Sequence, residues 1–183
     1  TEHAGYRVHS RPVTELQALR GAPVTIDAQT VAAGTQALLT QDIPVAQSEW
    51  LLEFQLPNAI DYEFGIELSN DLGERYRFGY DGAGNRFYSD RTASGDFSFS
   101  EKFAGVHRAT RLSPDRKLTL HLFIDAASIE AFADGGANVL TDTFFPTRPF
   151  SAAALYSRGN DVILLGGQAY GLASIWNGVA AGH

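Results

Sequence analysis

The chain has 183 residues, and 21 acidic against 14 basic side chains give it a formal net charge of −7. This charge argues against nucleic acid and anionic membrane surfaces as partners, because no basic stripe is present to neutralise phosphates. The sequence contains no cysteine, which excludes a disulfide framework, a thiolate zinc site and a cysteine nucleophile. Its apolar runs are only a few residues long, so no transmembrane helix is expected.

A chain of this length is expected to form one domain that buries a core without disulfides. The 18 glycines, 12 phenylalanines and 7 tyrosines favour many short strands joined by tight turns. Methionine is also absent. Because a reading frame begins with methionine, we expect the sequence to have been processed or cut from something longer, and a signal peptide would not be visible in it.

Residues 1–21 are predicted to form a connecting arm. Within it, Thr14 and Gln17 are spaced to cap one helical turn. After Pro23 the hydrophobic period becomes two, which is the period of a strand. Residues 22–183 are therefore predicted to form one β domain.

Alternating apolar and polar residues predict strands along the rest of the chain. The clearest are 49–56, 62–69, 75–80, 86–92, 118–125, 128–134, 138–143, 162–165 and 171–176. The turn sequences Asp81–Asn85 and Gly135-Gly136 each predict a hairpin. Strands at this spacing, without a long helical period, predict an all-β fold: a single antiparallel β-sandwich of jelly-roll or concanavalin-like type.

One segment conflicts with this pattern. Residues 125–133 contain good helix formers, and Asp125 is a suitable cap for a helix. The Gly-Gly turn that follows and the β-rich neighbours favour a strand instead. From the sequence alone, both a helix and a strand stay open for this segment.

Several kinds of catalytic site have no motif in this chain. A Gly-x-Ser-x-Gly nucleophile elbow is missing, and Gly82 and Gly84 lie between two strands rather than before a phosphate-binding helix. The histidines are too scattered for a zinc site, and the turn at Asp81 offers too few charged oxygens for calcium. No cofactor and no metal are therefore expected. Carboxylates are numerous, so their count leaves a glycosidase pair open.

The segment 120–136 resembles part of the C-terminal β-sandwich of glycoside hydrolase family 32, the invertases, inulinases and levanases. The residues that match the family pattern are Asp125, Ser128, Glu130, Phe132, the glycine turn and Leu140-Thr141. Upstream, Phe64-Gly65-Ile66, Tyr80-Asp81 and 89–95 also match, and 11–16 resembles the arm that leaves the family's catalytic domain. The sequence departs from the pattern at Ala126 and Ala127, where the family usually has Arg or Lys and then Ser.

The resemblance implies that the catalytic residues lie elsewhere. In this family they belong to an N-terminal five-bladed propeller, whose motifs include Asp-Pro and Glu-Cys. This chain has neither an Asp-Pro bond nor a cysteine. By resemblance it is expected to be a noncatalytic accessory domain of a secreted or periplasmic fructan hydrolase, with the propeller of a parent chain as a possible partner.

A sugar-binding role is the leading expectation, because the chain is also similar to carbohydrate-binding module family 66, which binds the terminal fructose of fructans. Carboxylates, an arginine fork and an aromatic wall suit vicinal hydroxyls. The residues of the two strongest motifs that offer such groups are Asp90, Arg91, Asp125, Ser128 and Glu130.

Three alternatives stay open. Arg91, paired with Asp125 or Glu130, would simply join strands as a structural ion pair. In the second alternative, the whole chain is a structural domain that stabilises a propeller or mediates dimerisation. The third alternative is a glycosidase that is active on its own.

Overall fold

The computed structural model of the chain describes residues 8–39, 42–100 and 102–174. A 3-10 helix over Thr14–Leu19, here called the arm helix, precedes the first strand. In chain order the strands are β1 (Arg20–Ile26), β2 (Gln29–Val31), β3 (Gln36–Leu38), β4 (Ser48–Gln55), β5 (Glu63–Ser69), β6 (Arg75–Asp81), β7 (Arg86–Ala93), β8 (Val106–Thr110), β9 (Lys117–Ile124), β10 (Ser128–Ala133), β11 (Asn138–Thr143), β12 (Ala152–Arg158) and β13 (Val162–Leu172). A 3-10 turn over Asp134–Gly136 joins β10 to β11.

These strands form two antiparallel sheets. Sheet A pairs its strands in the order β1, β13, β4, β9, β10 and β11, and β2 also pairs with β13. Sheet B follows the order β3, β12, β5, β6, β7 and β8. Strands that neighbour each other in the sheets are often distant in the chain, as β4 and β13 are. The predicted antiparallel β-sandwich is confirmed.

The core lies between the two sheets, because successive side chains of a strand point to opposite faces. In β4 the alternate residues Trp50, Leu52 and Phe54 are buried there. The ring of Phe54 lies 4.9 Å from that of Phe64 in β5, so aromatic contacts join the sheets. Burying each side chain of this size contributes roughly 1.5 to 3 kcal/mol.

Both predicted hairpins are present. The turn at Asp81–Asn85 joins β6 to β7, and the Gly-Gly turn joins β10 to β11. Residues 125–133, for which the sequence left both a helix and a strand open, form a turn followed by β10. Tertiary packing overrides helix propensity here, because Ile129 and Ala131 alternate into the core.

Two local predictions are wrong. The arm helix has Val13 at its N-cap position with no side-chain hydrogen bond, so Thr14 and Gln17 do not cap it. The last strand in chain order, β13, is one long strand with a register shift near Gly166, rather than two short strands. Residues 175 and 176 of the predicted last strand lie outside the described residues. β1 begins at Arg20, and the division into an arm of 1–21 and a domain of 22–183 stays a prediction.

A buried ion pair fastens the Gly-Gly turn to the β8–β9 connection. Arg111 Nε donates to Asp134 Oδ2 at 2.6 Å and Arg111 Nη2 to Asp134 Oδ1 at 3.1 Å. The guanidinium also donates to the carbonyl oxygens of Asp115 and Lys117. The two side chains are only 3% and 6% exposed. This pair, together with its carbonyl partners, fixes the end of the sandwich at which β8, β9, β10 and β11 meet.

Candidate functional site

Three of the five predicted site residues lie together on sheet A. Asp125 and Ser128 form the β9–β10 turn, where the Asp125 amide donates to the Ser128 carbonyl at 2.9 Å. Glu130 follows in β10 and points outward, because its neighbours Ile129 and Ala131 are buried. All three line a hollow of about 340 Å³, here called the turn hollow, and Phe123 forms part of its wall.

The other two predicted residues lie on β7 in sheet B. Asp90 is bound locally, since its Oδ1 accepts hydrogen bonds from the amide and the hydroxyl of Thr92 at 2.9 and 2.6 Å. Arg91 points toward sheet A. Its Nη1 donates to Asp142 Oδ1 of β11 at 3.0 Å, and its guanidinium lies 4.0 Å from the centre of the Phe103 ring.

Asp142, rather than Asp125 or Glu130, is therefore the carboxylate that Arg91 meets. Asp142 is paired with Ile129 in register and is buried, whereas Glu130 is exposed on the opposite face of sheet A. Ser89 Oγ donates to Asp142 Oδ2 at 2.6 Å, so the carboxylate joins the two sheets. The five predicted residues thus form two separate groups and do not converge on one face.

A second polar cluster lies on the outer face of sheet A, at the end of the arm helix. Glu49 of β4 points outward, yet it is 0% exposed. Arg20 Nε and Nη2 donate to its two carboxylate oxygens at 2.7 and 2.6 Å. His121 Nε2 lies 2.5 Å from Glu49 Oε1, and the Arg20 guanidinium lies 4.5 Å from the centre of the Tyr170 ring.

This cluster holds the arm against the sheet. The arm helix lies between the turn hollow and a larger hollow of about 490 Å³, and Leu16 and Phe123 line both of them. Arg20 is the first residue after the arm helix, so its bidentate pairing with Glu49 fixes where the arm meets sheet A. The sequence did not predict this cluster, although the polar positions of Glu49 and His121 within alternating strands were visible.

Burial alone would raise the pKa of Glu49, but the hydrogen bonds from Arg20 and His121 outweigh it and hold the pKa below its usual value. A lowered pKa in the folded state means that this carboxylate stabilises the fold at neutral pH. The contribution is lost as the pH falls from the unfolded value, about 4.3, through the lower folded one.

Glu49→Gln should therefore reduce the acid sensitivity of the chain. We expect the unfolding free energy of the wild type to fall more steeply between about pH 5 and pH 3 than that of the variant. Urea unfolding at a series of pH values measures both slopes. Glu53→Gln is the matched control, since Glu53 lies on the same face of the same strand but its ion pair with Lys117 is about half exposed. Equal slopes for Glu49→Gln and the wild type would contradict the role given to Glu49.

Among residues 8–39, 42–100 and 102–174, no group of three or more histidine, aspartate or glutamate side chains is placed to hold a metal ion. No helix within those ranges is long and apolar enough to cross a membrane.

Residues 15–170 match the family model described as glycosyl hydrolases family 32 C terminal. A levanase of Bacillus sp. strain L7 is 32% identical over 174 residues, which are 94% of this chain and 19% of the levanase. An extracellular exo-inulinase of Aspergillus awamori is 35% identical over 121 residues, which are 65% of this chain and 22% of that enzyme.

The fold is also similar to solved structures. The crystal structure of the exo-inulinase from Aspergillus awamori superposes with a TM-score of 0.76 at 26% identity. The superposition covers 93% of this chain and 33% of the exo-inulinase chain. The chain thus spans about a fifth of the length of the curated relatives described above.

Proposed function

The chain belongs to the C-terminal domains of glycosyl hydrolase family 32, and we propose that it is a noncatalytic domain that stabilises a fructan-hydrolysing enzyme. Its relatives are a levanase and an exo-inulinase, and it matches only a small part of each. The proposed partner is an N-terminal catalytic domain of the same enzyme. Secretion is part of the proposal, since one relative is named an extracellular enzyme.

The observation that carries this proposal is the outer face of sheet A, where the arm is fixed by Arg20 and Glu49. An apolar row crosses the same face through Leu51, Phe132 and Val139, and His121 lies between Leu51 and Phe132. Val139 is 40% exposed. Apolar side chains beside the arm suit a docking surface for the domain that the arm connects.

A calorimetric experiment on the complete enzyme tests the docking. Two domains joined by a substantial apolar interface are expected to unfold in one coupled transition. Val139→Glu should separate this transition into two, because it places a charge in the interface. Ile60→Glu is the control, since Ile60 is exposed and lies outside sheet A. Two independent transitions in the unaltered enzyme would refute the proposed docking.

Fructan binding at the turn hollow is a second proposal. It is favoured by the position of Asp125, Ser128 and Glu130 around one hollow with an aromatic wall. The exposed Glu130 carboxylate is able to accept hydrogen bonds from sugar hydroxyls, and the Ser128 hydroxyl is able both to donate and to accept them. Asp90 and Arg91 lie elsewhere and are not part of this site.

Calorimetric titration of the chain with levan and inulin oligosaccharides tests the second proposal. Glu130→Gln removes a charged acceptor without changing the side-chain size, and we expect it to weaken binding about tenfold. Glu53→Gln is again the control, being an exposed carboxylate of the same face. Unchanged affinity in Glu130→Gln would refute binding at the turn hollow.

A further inference from the structure

The outer face of sheet B carries a row of residues that does not resemble an ordinary solvent-exposed sheet surface. In register across β12, β5, β6 and β7 lie Tyr156, Gly65, Gly79 and Tyr88. The two glycines leave a trough in the middle of the sheet. Both tyrosines are buried although they point outward, because their rings fill this trough.

The glycines are required for that arrangement. A Cβ on Gly79 would lie 2.8 Å from Tyr88 Cζ and closer still to the Tyr156 hydroxyl, which is too near for either ring to stay. The two tyrosine hydroxyls meet above the glycines, and the Tyr88 hydroxyl donates to Glu63. Burial raises the pKa of Tyr88, and the neighbouring Tyr156 and Glu63 raise it further, so Tyr88 keeps its proton and is no nucleophile.

Two arginine–glutamate pairs flank the Tyr156 ring. On one side Arg77 Nε donates to Glu67 Oε2 at 2.6 Å, and the Arg77 guanidinium lies 5.2 Å from the ring centre. On the other side Arg158 Nη1 lies 3.5 Å from Glu63 Oε1, and its guanidinium lies 5.8 Å from the same ring centre. Glu67 is only 8% exposed.

The two arginines and Tyr156 border a hollow of about 400 Å³, here called the tyrosine hollow. Glu63 and Glu67 are not part of its lining and act only by orienting the arginines. Its walls include Gln36, Arg77 and Arg158, and its floor includes Tyr156. The Gln36 amide donates to Glu67 Oε1 at 2.9 Å, which leaves the amide oxygen as a further acceptor. The two arginines are balanced by two glutamates, so the hollow offers neither a free positive charge for an anion nor a free negative charge for a cation.

We propose that the tyrosine hollow binds a saccharide, and that it recognises adjacent hydroxyl groups of a neutral sugar. A vicinal diol needs a donor and an acceptor side by side. The Arg77 and Arg158 guanidiniums, each held in place by its glutamate, supply the donors, and the Gln36 amide oxygen supplies the acceptor. The aromatic floor gives the apolar contact that sugar C–H groups need. The choice of sugar as ligand rests on the proposed fructan-related function, but this surface lies on the sheet opposite the arm and the turn hollow.

The proposal is tested by calorimetric titration of the chain with fructose and with levan oligosaccharides, using variants of exposed residues that leave the core intact. Arg158→Ala and Gln36→Ala are each expected to weaken binding about tenfold, since each removes one polar contact to the ligand. Arg148→Ala is the matched control: Arg148 is 59% exposed and paired with Asp71, as Arg158 is 52% exposed and paired with Glu63. Thermal unfolding checks that the variants remain folded.

The outcomes separate this site from the turn hollow. Weaker binding in Arg158→Ala and Gln36→Ala, with Arg148→Ala unchanged, supports the tyrosine hollow, and Glu130→Gln reports separately on the turn hollow. Loss of binding in Glu130→Gln alone overturns the present proposal. Heat from sulfate but not from the sugars would also overturn it, because the site would then be an anion site. If no sugar binds at millimolar concentration, both sugar sites are refuted, while the docking role is judged separately by the unfolding of the complete enzyme.

Discussion

Arg111→Ala is expected to destabilise the chain by about 3 to 5 kcal/mol, because it leaves the Asp134 carboxylate buried without its cation. Asp134 is 6% exposed at the side chain, and its remaining hydrogen bond is a long one from the Thr119 amide at 3.4 Å. The carbonyl groups of Asp115 and Lys117 lose a donor as well. Urea unfolding at neutral pH measures the loss.

Two comparisons show whether the stranded charge is the cause. Arg111→Ala combined with Asp134→Ala should be less destabilising than the sum of the two single changes, since the double variant removes both charges. Arg148→Ala breaks an exposed pair and should cost no more than about 1 kcal/mol. A loss below about 1 kcal/mol in Arg111→Ala would mean that the pair contributes little to the fold.

Arg91→Ala is expected to lower the unfolding free energy by about 3 kcal/mol and to leave sugar affinity unchanged. Arg91 joins the sheets through Asp142, whose side chain is 3% exposed. The substitution also removes the guanidinium that lies over the Phe103 ring. Parallel unfolding and titration measurements on the same variant give both quantities.

Asp90→Asn serves as the comparison for Arg91→Ala. Asp90 is the preceding residue on β7, but its hydrogen bonds go only to Thr92, so its substitution should change stability much less. If Arg91→Ala keeps its stability but loses sugar binding, Arg91 is a ligand residue, as the sugar-binding reading of the sequence expects. If both quantities are unchanged, neither interpretation of Arg91 stands.

Most strands and both hairpins were predictable because local patterns determine them, whereas β3, β8 and β12 were not among the predicted strands. The alternation around Ile129 and Ala131 identifies the inner face of β10, and the same alternation places Glu130 outside. The Gly-Gly turn fixes the hairpin partner of β10. These inferences need only neighbouring residues, which is why they hold even where helix propensity competes with them.

The assembly of polar groups was not predictable in the same way. Arg91 meets Asp142 because β7 and β11 face each other across the core, and no local pattern states which strands of two sheets do so. The tyrosine hollow likewise depends on β12 pairing with β5 across a long stretch of sequence, which brings Tyr156 beside Gly65 and Glu67. That Asp90, Arg91, Asp125, Ser128 or Glu130 binds a sugar stays a prediction, and the sequence pattern did not point to the residues of the tyrosine hollow.

The placement of the arm and the tyrosine hollow on opposite sheets has a mechanical consequence. Packed sheets lie about 10 Å apart, so a polymer held at sheet B would be kept at least that far from the docked catalytic domain. If both the proposed docking at sheet A and the proposed saccharide site on sheet B hold, this site would tether a long polymer and would not extend the active centre. Weakening it through Arg158→Ala would then slow the attack on long or insoluble fructans and leave the turnover of a disaccharide unaffected.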